Sequence, residues 1–228
     1  MKHPNAPPGY YDEPRPEVSN LVPAEARFVV DVGCGSGSLG RALKAARPNL
    51  EVRGVELVPA QASIARNHLD DVHQGGAEGP LPAHWPAPDC VIFADVLEHL
   101  YDPWQVVRQY RALLRPGGSI VASIPNVANR VVLRGLLSHR WDYTDFGILD
   151  RTHLRFFTRE TAIEMFQDAG LSVRQVTRVV EGLGKKPLGN FVRRVINWEN
   201  GIRRKYPGPL GIALDAYTWQ FLIVADAD

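Results

Sequence analysis

Nine consecutive residues of the chain read Val29-Val-Asp-Val-Gly-Cys-Gly-Ser-Gly37. Glycine at 33, 35 and 37 lets the backbone turn tightly and lets a ligand approach the amides with no Cβ in the way. A helix starting directly afterwards aims its positive end at the same place. Gly35, Gly37 and Gly40 also fit the G-x-G-x-x-G spacing of dinucleotide sites, so the glycines point to a nucleotide-like ligand without choosing which. Glu56 follows about 20 residues on, where an acid accepts hydrogen bonds from both hydroxyls of a ribose. Further along, His99 follows Glu98, and His153 stands near Asp150 and Arg151. A neutral imidazole suits a general base at physiological pH, and an Asp within a few residues can orient one. His99, His153 and Asp150 are therefore the candidate catalytic residues. The competing readings are a His99 that hydrogen-bonds backbone and a structural ion network of Asp150, Arg151, His153 and Arg155.

Positioning these groups falls to short apolar runs that alternate with helical patterns. Phe28–Val32 reads as a buried strand, and Ser38–Ala46 places Leu39, Ala42, Leu43 and Ala46 on one helical face. Further strands are expected at 51–57, Cys90–Ala94, 119–124, 172–180 and 218–225. A helix over 59–68 has Pro59 in its first turn, and Asp102-Pro103 reads as an N-cap and first turn. Another helix, over 158–169, starts at Thr158 and stops at Gly170. Strands that are nearly continuous apolar runs belong to a parallel sheet covered on both faces, which predicts a doubly wound α/β domain.

Composition narrows the class. Twenty-six Lys and Arg against 25 acids leave a net charge of +1, which predicts no general attraction to nucleic acid. No apolar run reaches bilayer-spanning length. Cys34 and Cys90 alone make neither a disulfide scaffold nor a zinc site, so no metal is assigned. Residues 1–16 carry five prolines and no apolar h-region, so a flexible tail without a secretory signal, and a cytoplasmic location, are expected. Residues 17–228 form one expected domain with inserted lid or substrate segments at about 126–157 and 182–216. The second insert holds Lys185, Lys186, Arg193, Arg194, Arg203, Arg204 and Lys205 against Glu199 alone between 185 and 205. That charge is either a solvated face or a weak contact for phosphate or a membrane surface.

The loop at 29–37 resembles motif I of the class I S-adenosylmethionine (SAM)-dependent methyltransferases. Gly54-Val-Glu-Leu57, Ala94-Asp-Val-Leu-Glu-His-Leu100 and Leu114-Arg-Pro-Gly-Gly-Ser-Ile-Val-Ala-Ser-Ile-Pro-Asn126 agree with it, in order. The resemblance implies a Rossmann-like seven-stranded sheet of order 3-2-1-4-5-7-6, mostly parallel with an antiparallel last strand. It implies that Asp31, Gly33, Cys34, Gly35 and Gly37 shape the amino-acid and ribose side of a SAM pocket. Glu56 would then hold the ribose, Leu57 would pack on the adenine, and Asp95 would line the methionine portion. One departure stands out. The family often has Gly-Asp-x-Glu after its third strand, whereas this chain reads Gln74-Gly-Gly-Ala-Glu78, so backbone, Ala77 or Glu78 must recognise the adenine.

Gly147-Ile-Leu-Asp-Arg-Thr-His-Leu-Arg-Phe-Phe-Thr158 is similar to a bacterial subgroup related to the ubiquinone-pathway O-methyltransferases and often associated with glycan biosynthesis. The expected activity is methyl transfer to a hydroxyl of a small molecule or saccharide, by in-line displacement with a His general base. Trp141, Tyr143, Phe146, Phe156 and Phe157 would wall the acceptor, or else serve the core. Tyr10 and Tyr11 would fold over the cofactor. The alternatives are a catalytically silent SAM-binding module serving a partner and, resting on the glycines alone, an NAD(P)-dependent oxidoreductase. No Asn/Asp-Pro-Pro-Tyr/Phe base-flipping motif follows the fourth strand, which argues against nucleic-acid methylation.

Overall fold

The computed structural model describes residues 12–180 and 214–228. The chain runs α1 (Pro16–Ser19), β1 (Phe28–Val32), α2 (Ser38–Ala46), β2 (Glu51–Glu56), α3 (Pro59–Ala65), β3 (Asp71–Gln74) and β4 (Cys90–Ala94). A 3₁₀ turn at Leu97–His99 leads to α4 (Pro103–Leu113), β5 (Ser119–Pro125), α5 (Arg130–Leu137), α6 (Arg159–Asp168), β6 (Leu171–Val179) and β7 (Gln220–Ala227). Among the described residues the strands form one seven-stranded sheet of order β3-β2-β1-β4-β5-β7-β6, the order the resemblance implies. The pairs β1–β2, β1–β4, β2–β3 and β4–β5 are parallel, and β7 lies antiparallel to both β5 and β6.

Burial on both faces, with side chains alternating sides, explains why the central strands are mostly apolar. Val30, Val32, Val91, Phe93, Ile120 and Ile124 point to one face, where they meet Val106, Val107 and Tyr110 of α4 and Ala162, Met165 and Phe166 of α6. Val29, Val52, Ile92, Val121, Leu222 and Val224 point to the other, against Val18 of α1, Leu39 and Leu43 of α2 and Ala62 and Ala65 of α3. Each large side chain removed from water in these layers contributes about 1.5–3 kcal/mol before entropy is counted. Phe93 and Tyr110 meet edge to face at 5.1 Å in the first layer.

Several boundaries differ from expectation by a residue or more. The helix after β2 ends at Ala65 because Asn67 and His68 bond three residues back, to Ile64 and Ala65, in place of the α-helical ladder. The last strand starts at Gln220, since Thr218 is diverted. Its hydroxyl donates to Leu214 O at 3.1 Å, and its carbonyl accepts from Asn126 and Asn129 Nδ2 at 3.1 and 2.8 Å. The two asparagines thus tie the end of β5 to the entry of β7. Asn129 also caps α5 by accepting from Val131 N at 2.9 Å, and so starts a helix inside the first expected insert. The expected tail reaches into the described structure at its end, where Arg15 is bound to the body of the domain. Most of the second expected insert, its basic 185–205 stretch included, lies outside the described residues, as do Tyr10 and Tyr11. No described helix is long and apolar enough to cross a membrane.

Candidate active site

The carboxyl ends of β1, β2 and β4 lie side by side, so the segments that leave them, Gly33–Gly37, Leu57-Val58 and Asp95–His99, converge at one edge of the sheet. This is the crevice where open α/β sheets bind ligands. At the first turn, Gly33 and Cys34 N–H both donate to Val55 O, at 2.7 and 3.1 Å. Gly33 has φ +72°, and a Cβ there would stand 2.6 Å from Val96 Cγ2, so glycine is required on two counts. Cys34 is buried, with its sulfur where a side chain at Gly54 would be, and burial pushes its thiol pKa up. That sulfur packs the loop onto β2.

Glu56 ends β2 buried, its Oε2 accepting from Gly35 N at 2.9 Å and its Oε1 from Val58 N at 2.7 Å. It therefore holds both loops while facing a cavity of about 290 Å³ that Leu57, Gly76, Ala77, Glu78, Asp95 and His99 also line. The Glu78 carboxylate lies beside Gly76. A Cβ built on Gly76 would lie 3.3 Å from Glu78 Oε2 and 4.0 Å from Leu57 Cδ1, so the Glu78 carboxylate reaches the region an acid at 76 would serve.

A second cavity, of about 230 Å³, shares Gly33 and Asp95 with the first and is lined by Asp31, Cys34, Glu13 and Arg15. Asp31 is almost wholly buried, and its Oδ2 has no hydrogen-bond partner among the described residues. Burial, with repulsion from Glu56, pushes its carboxyl up to about 7. Asp95 sits at φ +55°, a left-handed conformation that Asp tolerates better than most residues. Its carboxylate accepts from Ser123 Oγ at 2.6 Å and from Arg15 Nη1 at 2.5 Å. Arg15 and Ser123 are parts of the site that sequence reasoning missed. For Arg15, the available signal was Pro16, a residue suited to a helix start, directly after it.

His99 ends the 3₁₀ turn and lines the larger cavity beside Thr152. Its Nδ1 lies 3.1 Å from Thr152 Oγ1 and 3.3 Å from Thr152 O. Burial, helped by the neighbouring His153, pulls its pKa down to about 4. His153 packs edge-on behind it with ring centroids 4.6 Å apart, is 8% exposed, and donates from Nδ1 to Ile148 O at 3.0 Å. A carbonyl only accepts, so His153 carries its proton on Nδ1. His153 is thus brought to His99 but not to the lining of either cavity. Asp150, expected to orient it, accepts at Oδ1 from Thr152 N and Thr152 Oγ1, both at 2.7 Å. Glu98 is buried with neither carboxylate oxygen hydrogen-bonded among the described residues, and burial, then Asp95, raises its pKa. Glu98, His99 and His153 each offer a donor atom within 4.8 Å of the others, a cluster that could hold a cation and that the sequence did not reveal.

The expected aromatic wall separates into two parts. Trp141, Tyr143 and Phe156 form a chain of contacts (Trp141–Phe156 at 5.1 Å, Trp141–Tyr143 at 6.5 Å) that touches His153 through Phe156 at 6.3 Å. Phe157 instead enters the core against Trp104.

SAM fits this chamber. The unpartnered Asp31 oxygen asks for a donor such as an ammonium, Glu56 has lone pairs for ribose hydroxyls, and Gly33 lines both cavities. A family model described as a methyltransferase domain matches residues 10–176. The ubiquinone biosynthesis O-methyltransferase of Stutzerimonas stutzeri is 31% identical over 181 residues, covering 75% of this chain and 74% of that protein. Its namesake from Aromatoleum aromaticum is 29% identical over 167 residues, 66% of this chain and 70% of that one. A SAM-dependent methyltransferase from Thermotoga maritima has the same fold, with a TM-score of 0.63 at 17% identity over 93% of this chain and 86% of that one. Human N-acetylserotonin methyltransferase, solved with SAM, gives 0.52 at 16% identity over 89% and 48%.

Proposed function

The chain belongs to the class I SAM-dependent methyltransferases, and on that premise we propose that it methylates a hydroxyl of a small molecule or saccharide with His99 as general base. The observation that carries this reading is an imidazole, neutral at physiological pH, lining the cofactor cavity near Asp95 and Val96. The O-methyltransferase names of the two relatives support a hydroxyl as the acceptor.

Bound SAM supplies an electrophilic methyl on a sulfonium. The residues of the chain hold the reactants and move one proton. Glu56 accepts from the ribose hydroxyls, Leu57 and Ala77 pack on the adenine, and Glu78 accepts from its amino group. Asp31 takes the ammonium and Arg15 the carboxylate of the methionine portion. Such placement lowers the barrier by converting a bimolecular encounter into a positioned one, an effect on the order of 7 kcal/mol or more. With a pKa near 4, His99 is too weak a base to ionise a hydroxyl beforehand. His99 would take the proton as the acceptor oxygen, made strongly acidic by bonding to the methyl, displaces the sulfur and leaves the neutral thioether S-adenosylhomocysteine. A base so placed contributes about 10²–10⁴-fold.

Calorimetric titration with SAM, S-adenosylhomocysteine (SAH) and NAD in parallel, followed by SAH release with phenol and sugar acceptors, tests the proposal. Binding of both sulfur nucleosides and turnover of a hydroxyl acceptor is the expected result. SAM binding with no turnover on any acceptor would favour a silent binding module. Binding of NAD alone would overturn the reading.

A further inference from the structure

Thr152 stands between two of the candidate catalytic residues. Its hydroxyl has one proton and donates it to Asp150 Oδ1 at 2.7 Å, and the same oxygen accepts from Thr152 N at 2.7 Å. Asp150 is buried, so this double anchor is shielded from water. The hydroxyl can then only accept toward His99 Nδ1, 3.1 Å away. Thr152 O, 3.3 Å from the same nitrogen, can likewise only accept. Two acceptors meet one ring nitrogen, and that nitrogen must carry the hydrogen.

We propose that Thr152 is a positioning residue that fixes His99 as the Nδ1–H tautomer, with Asp150 acting through it by committing the hydroxyl proton. Nε2, on the side of the ring away from Thr152, keeps its lone pair. A His99 protonated on Nε2 would present a donor in its place and could not accept the acceptor's proton. His153 contributes steric support, its ring packing edge to face at 4.6 Å and limiting rotation of the imidazole. The arrangement joins carboxylate, hydroxyl and imidazole in series, so Asp150 aligns the base without touching it through these bonds.

The catalytic consequence rests on His99 being the general base; the tautomer does not. The test is therefore spectroscopic. The full chain is labelled with ¹⁵N-histidine and saturated with SAH at neutral pH, and the His99 signals are assigned by their loss in His99→Asn. The expected wild-type spectrum shows a protonated Nδ1 and an unprotonated Nε2. Thr152→Val keeps the shape and removes the hydroxyl, and should move His99 to a mixture of tautomers; Thr152→Ser should restore the wild-type signals. Thr152→Ala replaces the valine variant if that one fails to fold, and the wild-type spectrum needs no variant. A wild-type His99 protonated on Nε2, or tautomer populations unmoved by loss of the hydroxyl, would overturn the proposal. Turnover of catechol as a probe acceptor separates the two ideas. If His99→Asn abolishes it while the Thr152 variants leave the tautomer unchanged, the base assignment stands and the tautomer proposal fails. If His99→Asn leaves turnover intact while the tautomer responds to Thr152, the base assignment fails and the positioning bond stands.

Discussion

Replacing Glu56 should separate its two tasks. Its carboxylate accepts from Gly35 N at 2.9 Å and from Val58 N at 2.7 Å, and it has lone pairs left for two ribose hydroxyls. Hydrogen bonds to a charged acceptor are worth about 1.5–3 kcal/mol each, so losing two of them would remove about 3 kcal/mol at the least. That predicts SAH binding weakened about 100-fold or more in Glu56→Ala. The same substitution strands the Gly35 and Val58 amides, at roughly 1–3 kcal/mol for a buried one. For a chain of this size the melting temperature would fall by about 2–4 °C per kcal/mol. Glu56→Gln keeps one acceptor oxygen but turns an NH₂ toward one of the two amides, so it should be intermediate in both respects. Calorimetry well below the melting temperature gives the affinity, and thermal unfolding gives the structural cost. A folded Glu56→Ala that binds SAH within threefold of wild type would refute the reasoning and leave Glu56 as a loop pin alone.

Two further outcomes follow from the same geometry. Glu78→Ala should weaken SAH binding about tenfold, one hydrogen bond's worth, and Gly76→Asp added to it should recover much of the loss; Gly76→Asp alone should not help, because its carboxylate would stand beside that of Glu78 and the two would repel. If the double variant binds no better than Glu78→Ala in calorimetry, Glu78 does not stand in for the acid. The depressed pKa of His99 sets the second. Between about 4 and its ordinary 6.5, the imidazole is neutral in the fold and protonated when unfolded, so stability must fall as pH drops through that window. The full effect is about 3 kcal/mol, absent in His99→Gln, as denaturant titrations of both proteins at pH 7 and pH 4 would show. Asp31, held protonated up to about 7, works in the opposite direction but cancels in the difference. Equal losses in the two proteins would exclude a neutral, buried His99.

The layered sheet was legible because its strands bury both faces. Residues such as Val91, Ile92 and Phe93 alternate sides yet are all apolar, and that run is hard to place elsewhere. Gly33 and Glu56 were legible because their chemistry allows few substitutes. Arg15 was not, since a proline-rich composition reports the absence of regular structure and says nothing of docking. Thr152 was hidden for another reason. A hydroxyl between Asp150 and His153 has no distinctive spacing, and its importance depends on which way each hydrogen points. Proximity in sequence suggested an Asp150–His153 pairing but not the bonds that run from Asp150 to Thr152 and from Thr152 to His99, 53 residues before it. Helix α5 had a readable start in Asn129, but the expected insert was treated as one unit.

The backbone amides of Leu154 and Arg155 both donate to Glu98 O, at 2.8 and 3.0 Å. These two bonds join the turn that carries His99 to the segment that carries Thr152 and His153. Between α5 and that junction, Asp142, Tyr143, Thr144 and Phe146 stand exposed. The outer stretch is nonetheless tied to the same segment, with Thr144 N donating to Leu149 O at 2.9 Å and Arg151 N to Thr144 O at 3.0 Å. A change in the backbone at Thr144 is therefore passed directly to the residues that lead into Asp150 and Thr152.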